Sequence, residues 1–266
     1  MAFGSNTAPT SLLKSPREIE IMARGGALLH QTLMHLKAHV RPGISTGELD
    51  QLCEAFIRSH AGAEPAFKGL YGFPGSACIS INEEIVHGIP SRKRVLHEGD
   101  IVTLDVGVKL EGMFTDSAIT VPVGEIDADT VKLLDVTRRS LDAGIAAAVA
   151  DNHVGDIGAA VQAVVEAEGF SVVRELVGHG VGFSPHEELQ IPNYGKPKRG
   201  KKLSVGLTIA IEPMVNVGTA KTRTLSDKWT VVTADGKRSA HFEHTVAITE
   251  SGPRILTISC RVVGCE

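Results

Sequence analysis

The chain has 266 residues, 42% of them apolar and 22% charged, with a net charge of -4. This is the composition of an ordinary soluble globular protein, and without a basic balance it argues against nucleic acid as a substrate. The apolar stretches are too short to span a bilayer and no signal peptide is visible, so no membrane partner is expected. Four cysteines without CxxC or zinc-finger spacing predict free thiols in a reducing cytoplasm: Cys53, Cys78, Cys260 and Cys265.

Two helices are predicted near the start of the chain. Residues 1–14 are rich in Ser, Thr and Ala and are expected to form a flexible leader. Ser15-Pro-Arg-Glu18 has the form of a capping box with proline at the first helical position, and the apolar spacing after it predicts a helix to about His39. Pro42-Gly43 interrupts this pattern. Ser45-Thr-Gly-Glu48 repeats the capping box and predicts a second amphipathic helix.

Strand patterns dominate the rest of the chain, with helical composition over residues 127–150 and 154–169. Short apolar runs separated by Gly and Pro are predicted to be strands: 76–82, 100–108, 117–124, 171–177, 207–217, 229–233 and 245–249. Because strands and helices do not alternate as a parallel βαβ sheet requires, the predicted class is α/β of the α+β kind, with antiparallel pairing. We expect one domain over residues 15–258 and a C-terminal tail over residues 259–266.

A faint internal repeat indicates two similar halves. The segments Gly99–Asp105 and Gly206–Glu212 each contain a glycine, an apolar strand and then a carboxylate at the same spacing. A histidine precedes each segment, His87 in one half and His186 in the other. The repeat predicts that each half delivers one acid and one histidine to a shared cleft.

Two aspartates lie on neighbouring apolar strands. Asp105 shares a strand face with Ile101 and Thr103, where a lone buried carboxylate would be costly. Asp116 follows a turn at residues 110–113, and a hairpin there would bring both carboxylates together. Taken singly, either aspartate could be a turn residue or an ion-pair partner. Two adjacent carboxylates repel, and a cation between them relieves that repulsion, so the pair indicates a metal site.

Three more residues could complete a metal centre. Glu212 and Glu243 are acids in strand-like sequence, where exposed sheet edges are the alternative explanation. His179 could equally be a packed histidine, but the glycines on both sides permit a close backbone approach. Four carboxylates and one imidazole form a hard ligand set suited to Mn, Fe, Co or Zn.

Nine segments together resemble one family. They are SPREIEIM (15–22), RPGISTGELD (41–50), CISINEEIVHGIP (78–90), GDIVTLDVG (99–107), FTDSA (114–118), GHGVG (178–182), HEELQIPNYG (186–195), IEPM (211–214) and HFEHT (241–245). These segments resemble the short, bacterial form of the type I methionine aminopeptidases, which have the pita-bread metallopeptidase fold. The resemblance implies two pseudo-symmetric halves with a central curved antiparallel sheet covered by helices.

The resemblance also implies a dinuclear centre and a reaction. Two divalent ions would be held by Asp105, Asp116, His179, Glu212 and Glu243, with Asp116 and Glu243 bridging them. The implied activity is removal of N-terminal methionine from nascent polypeptides that have a small second residue, with a metal-bridged water as nucleophile.

Other residues acquire implied roles in catalysis and substrate binding. Glu212 would carry a proton, His186 would stabilise the oxyanion and His87 would contact the scissile amide. The methionine pocket would be lined by Leu70, Phe73, Cys78 and Trp229. Leu70 and Phe73 stand where the family often has tyrosine, Val86 stands where it often has cysteine, and Phe183-Ser-Pro185 varies before His186.

The expected partners follow from this resemblance. They are nascent chain ends in the cytoplasm, met by a monomeric enzyme. The basic stretch Lys196–Lys202 is interpreted as a solvated loop, with a ribosome contact as the alternative. Three other functions stay open: an X-Pro peptidase of the same fold, a binding module without catalysis, and a metal-free hydrolase of the creatinase type.

Overall fold

Four helices lie in two sequential pairs in the structure, a computed structural model that describes residues 12–259. They are α1 (Pro16–His39), α2 (Thr46–Arg58), α3 (Ala128–Ala147) and α4 (Val154–Ala167). A 3₁₀ turn spans Leu70–Gly72. The predictions for residues 1–11 and 260–266, with Cys260 and Cys265, lie outside the described residues.

Both predicted capping boxes are present. At the start of α1 the Ser15 side chain accepts a hydrogen bond from Glu18 N, and the Glu18 carboxylate accepts one from Ser15 N. Ser45 and Glu48 repeat this exchange at α2. Because each box satisfies backbone N–H groups that a helix end leaves free, both helix starts were readable from sequence.

Within residues 12–259, fifteen strands form four sheets, and all their ladders are antiparallel, as predicted. They are β1 (Ala63–Pro65), β2 (Ala77–Ile81), β3 (Glu84–Val86), β4 (Ile101–Leu110), β5 (Met113–Pro122), β6 (Ser171–Val172), β7 (Gly178–Gly180), β8 (Glu187–Ile191), β9 (Thr208–Ile211), β10 (Met214–Asn216), β11 (Thr222–Thr224), β12 (Val231–Thr233), β13 (Ser239–His241), β14 (His244–Thr249) and β15 (Gly252–Ile255).

The hairpin of β4 and β5 is the centre of the first half. Leu110 pairs with Met113, so the turn lies where it was predicted. Asp105 pairs with Ala118 and Gly107 pairs with Asp116. The two acids are therefore diagonal neighbours on one face of the hairpin. Apolar residues of α1 and α2 pack with β2, β4 and β5 in one core cluster and hold this hairpin in place.

The second half repeats this layout. Residues of α3 and α4 form a core cluster with a sheet of order β15-β14-β9-β7-β8. Gly99 and Gly206 both adopt positive φ, 86° and 92°, in the turns before β4 and β9. The two halves are joined by hydrogen bonds between the backbones of Ala118 and Glu243. The junction therefore lies beside the predicted metal ligands.

Three sequence predictions are corrected by the structure. The run 171–177 forms a strand only over Ser171–Val172, because the chain bends at residues 174–175 after Val173 N donates a last hydrogen bond to Met214 O. The run 207–217 is divided into β9 and β10, since Pro213 has no N–H to donate. Leu13 and Lys14, assigned to the leader, bond to the domain at Leu207 and Gly206.

The basic stretch Lys196–Lys202 is an exposed loop, in agreement with its first interpretation. Its backbone accepts hydrogen bonds from Val154 N and Gly155 N at the start of α4, and Lys202 pairs with Asp151. Within residues 12–259, no helix is both long enough and apolar enough to cross a membrane.

Candidate metal centre and active site

The five predicted metal ligands lie in or next to different strands and line one cavity of about 460 Å³. Three lie within strands: Asp105 on β4, Asp116 on β5 and His179 on β7. Glu212 follows β9, and Glu243 lies between β13 and β14. Their donor atoms form two groups within 4.8 Å that share Glu243: Asp105, Asp116 and Glu243, and His179, Glu212 and Glu243.

All four acids are buried, with at most 9% of each residue exposed. Among residues 12–259, no lysine or arginine forms an ion pair with any of them. Burial raises the pKa of Asp105 to about 7. Burial, then repulsion from neighbouring carboxylates, raises the pKa of Asp116, Glu212 and Glu243 well above the ordinary range. Such a cluster needs either protons or cations to coexist.

Three carboxylate oxygens show that cations fit the site. Asp105 Oδ1, Asp116 Oδ1 and Glu243 Oε1 are buried without a hydrogen-bond partner in the described part of the chain. Buried polar atoms are normally paired, so these oxygens point to ligands of another kind. A hard oxygen-rich donor set with one or more imidazoles suits divalent Mn, Fe, Co or Zn.

His179 has the tautomer that a metal ligand needs. Its Nδ1 donates a hydrogen bond to Gly180 O at 2.9 Å, so Nε2 carries the free electron pair. That Nε2 lies 3.5 Å from Glu212 Oε1 and 3.9 Å from Asp116 Oδ2. Burial lowers the pKa of His179 to about 4, which keeps the imidazole neutral and able to bind a cation.

His241 is a site residue that sequence reasoning missed. It lies at the end of β13, is 1% exposed, and has no hydrogen-bond partner on either ring nitrogen among the described residues. Its Nε2 lies 3.7 Å from Glu212 Oε2 and 3.9 Å from Glu243 Oε2. Burial lowers the pKa of His241 to about 3. The signal was in HFEHT, where His241 and Glu243 share a strand face.

The two other predicted histidines lie along the cavity wall. His87 follows β3 with φ at 60°, a left-handed conformation that costs energy for a non-glycine residue and is common at functional sites. Burial lowers the pKa of His87 to about 4. His186 lies at the solvent edge, with its ring 4.5 Å from that of His179.

An apolar cluster forms the other end of the cavity. Phe67, Phe73 and Cys78 are buried there, with Leu70 and Trp229 packed against them. The rings of Phe73 and Trp229 meet edge to face at 5.1 Å. Burial, then the charge of nearby acids, raises the pKa of Cys78, so its sulfur stays an apolar thiol. Every predicted pocket residue therefore lines this cavity.

Tyr71 is a second residue that the sequence analysis missed. Tyrosine was sought at Leu70 and Phe73, but the aromatic side chain at the cavity mouth is Tyr71, which is 75% exposed and stacks on His186 at 6.0 Å. Its φ is 50°, between Gly69 and Gly72 at 84° and 89°. The flanking glycines were the available signal, because they permit such a left-handed turn.

Comparison with known proteins identifies a matching family and relatives that are similar in sequence. Residues 20–250 match the model of Metallopeptidase family M24. Methionine aminopeptidase 1 of Bacillus subtilis is 54% identical over 246 residues, which are 92% of this chain and 98% of that protein. Methionine aminopeptidase 1 of Mycobacterium tuberculosis is 45% identical over 251 residues, covering 92% and 94%.

Solved structures agree with these matches. The crystal structure of methionine aminopeptidase from Thermotoga maritima superposes with a TM-score of 0.90 at 43% identity, covering 92% of this chain and 98% of that one. Prolidase from Pyrococcus furiosus reaches 0.75 at 21% identity, covering 94% and 66%, a likeness that shows the pita-bread fold alone. With this fold, and with relatives this similar over nearly their whole length, the chain belongs to metallopeptidase family M24 and, within it, to the methionine aminopeptidases.

Proposed function

We propose that this protein releases the N-terminal methionine from polypeptides, with a preference for a small second residue. One observation carries the proposal: the unpaired buried carboxylates open onto the same cavity as the apolar cluster around Phe73, Cys78 and Trp229. A hydrolytic centre beside an apolar pocket fits cleavage after one apolar side chain. The 54% identity to a methionine aminopeptidase supports that side chain being methionine.

Two divalent ions would be held by the five ligands, with Asp116 and Glu243 shared between them. The overlap of the donor groups at Glu243, and the position of Asp116 near both Asp105 and His179, support this division. When bound, such ions lower the pKa of water and polarise the scissile carbonyl, which supplies the nucleophile at neutral pH.

The chain's own side chains then handle protons and charge. Glu212, which lies between two imidazoles, would accept a proton and pass it on. His186, at the solvent edge beside His179, would donate to the carbonyl oxygen as negative charge develops. His87, whose ring is perpendicular to that of Trp229 at 6.4 Å, would contact the scissile amide between the pocket and the acids.

The pocket chemistry matches a thioether. Sulfur packs favourably against aromatic ring edges and faces, and both kinds of surface are available where Phe73 and Trp229 meet at 73°. Val86 also lines the pocket, where the family often has cysteine. The preference for a small second residue rests on the resemblance to the type I methionine aminopeptidases.

The proposed partners are nascent chains in the cytoplasm. Cys53 and Cys78 are free and buried, which agrees with a reducing compartment. The enzyme would act as a monomer, and the exposed Lys196–Lys202 loop is where contact with the ribosome would be sought.

The decisive experiment measures methionine release from Met-Ala-Ser and Met-Leu-Ser after chelation and after return of Mn, Fe, Co or Zn. We expect release only with metal, and faster from Met-Ala-Ser. An X-Pro peptide is the matched alternative substrate. Exclusive X-Pro cleavage, activity that survives chelation, or a folded, metal-loaded protein that never turns over would each reject the proposal.

A further inference from the structure

A lysine outside the cavity is buried next to the turn that carries His186. The Lys14 side chain is 0% exposed, and its Nζ contacts both carboxylate oxygens of Glu187 at 2.7 and 2.6 Å and Leu12 O at 3.0 Å. The Glu187 side chain is only 6% exposed. Burial lowers the pKa of Lys14, whereas the hydrogen bond and charge of Glu187 oppose that shift.

The same pair organises the turn between β7 and β8. Glu187 Oε1 accepts a hydrogen bond from Phe183 N at 2.9 Å, and Lys14 Nζ lies 4.9 Å from the Phe183 ring. Gly182 has φ at 145°, and a Cβ built on it would lie 2.3 Å from Lys14 Cε. The lysine stem therefore fills the space that the glycine leaves, and the turn folds around it.

His186 depends on this turn for its position. Within residues 12–259, no hydrogen bond is made to its ring, whereas its backbone O accepts one from Ser184 Oγ at 2.8 Å. Its donor atom nevertheless lies within 4.8 Å of those of Asp116 and His179. The ring meets those of Tyr71 and His179 without a hydrogen bond, so the backbone on either side helps to set where the imidazole points.

A buried ion pair is a poor source of stability, because desolvation offsets much of the attraction. Apolar residues of similar size would serve packing equally well. The pair does provide a fixed geometry at Glu187, one residue from His186. Misplacing a reacting group by about 1 Å can cost about 10²-fold in rate.

We infer that Lys14 and Glu187 form a clamp that holds the turn 181–186, and that Lys14 is thereby a positioning residue for His186. This inference rests on the proposed function, in which His186 meets the reacting carbonyl oxygen. It gives Lys14, which the sequence analysis assigned to a flexible leader, a role in the site.

The test removes both charges together, because Lys14→Met alone would leave Glu187 buried and unpaired. In the variant Lys14→Met/Glu187→Met we expect a folded protein with unchanged metal content. Its kcat should fall by about 10-fold or more, with KM little changed. Lys14→Arg, which keeps the ion pair, should retain most of the activity. Lys202→Met, which removes the exposed pair with Asp151, is the matched control.

A second background separates positioning from general damage. If the clamp acts through His186, the double substitution should change kcat by no more than about twofold once His186→Ala is present. An equal loss with and without His186 would overturn the inference. So would full activity of the folded double variant.

Hydrogen exchange tests the clamp without activity. The Phe183 amide should exchange faster in the double variant than in the parent, because its acceptor is gone. Unchanged exchange would overturn the clamp. A parent protein that releases no methionine with any metal would refute the proposed function, and the exchange result would then decide the clamp alone.

Discussion

At the scale of single residues, the four acids of the cavity differ from most carboxylates in that they are buried together. Asp105 pairs across the ladder with Cys78 and Ala118, so it has apolar or small neighbours on both sides. Among the described residues, no lysine or arginine forms an ion pair with Asp105. The chemistry therefore follows from where strands place these carboxylates together rather than from any one of them.

Loss of a shared ligand should empty the centre. We expect Asp116→Asn to lower metal content and to reduce methionine release to background, because this carboxylate lies near both Asp105 and His179. Metal would be counted by mass spectrometry on folded protein. Asp142→Asn, on the exposed face of α3, is the control. Full metal content in the Asp116 variant would contradict the assignment.

A separate prediction is that His241 orients the Glu212 carboxylate. We expect its imidazole to donate to Glu212 Oε2 when metal is bound, since that oxygen faces away from His179. His241→Phe should then weaken Mn binding by about 10- to 100-fold, the usual cost of losing such support. His241→Gln keeps an N–H donor and should bind nearly as well. Equal affinities for the Phe variant and the parent, measured by calorimetry, would contradict this role.

At the scale of elements, two neighbouring glycines in α1 differ in the space around their Cα atoms. A Cβ on Gly26 would lie 2.2 Å from Leu256 O, so this glycine lets the helix approach the chain just after β15. A Cβ on Gly25 would lie 3.5 Å from its nearest neighbour, Leu110 Cβ, which is an ordinary contact. The close approach of the helix therefore requires glycine at position 26, whereas position 25 has room for a methyl group.

This contrast predicts opposite changes in the free energy of unfolding. Gly26→Ala should lower it by about 1–3 kcal/mol, as overpacking against rigid backbone does. Gly25→Ala should raise it by up to about 1 kcal/mol, because alanine is the better helix former. Urea unfolding of the metal-free proteins measures both. Equal effects of the two substitutions would show that the close approach to Leu256 does not govern packing.

At the scale of the whole molecule, buried acids and buried histidines make opposite contributions to the dependence of stability on pH. Burial raises the folded-state pKa of Asp105 from 3.8 to about 7. Between those values folded Asp105 holds a proton that the unfolded chain has lost, so its contribution to stability falls as pH rises. Burial lowers the pKa of His179 to about 4 and that of His241 to about 3, so their contributions rise with pH up to their ordinary pKa of 6.5.

Without metal, the parent protein should therefore lose more stability, or gain less, between about pH 5 and about pH 7 than Asp105→Asn does. Added Mn should reduce the loss due to Asp105, since a cation stabilises the ionised carboxylate. Thermal unfolding of both proteins at the two pH values, with and without chelator, measures each case. The same pH dependence in the metal-free parent and in Asp105→Asn would contradict the raised pKa of Asp105.

The sequence by itself determined the helix starts, the antiparallel pairing and the hairpin that joins Asp105 to Asp116. These depend on local signals: the Ser15 and Ser45 capping boxes, strand periodicity, and a turn at residues 110–113. The five proposed ligands were recognisable because their flanking residues resemble a family. The structure brings all of them to one cavity and leaves their individual roles to experiment.

Only the tertiary structure decided what depends on contacts between distant segments. His241 and Tyr71 join the site because β13 and the 3₁₀ turn meet residues from the other half of the chain. Lys14 belongs to the domain because Glu187, 173 residues away, supplies a buried partner. Local composition cannot report such partners, since the free energy of burying a charge is set by the groups that surround it after folding.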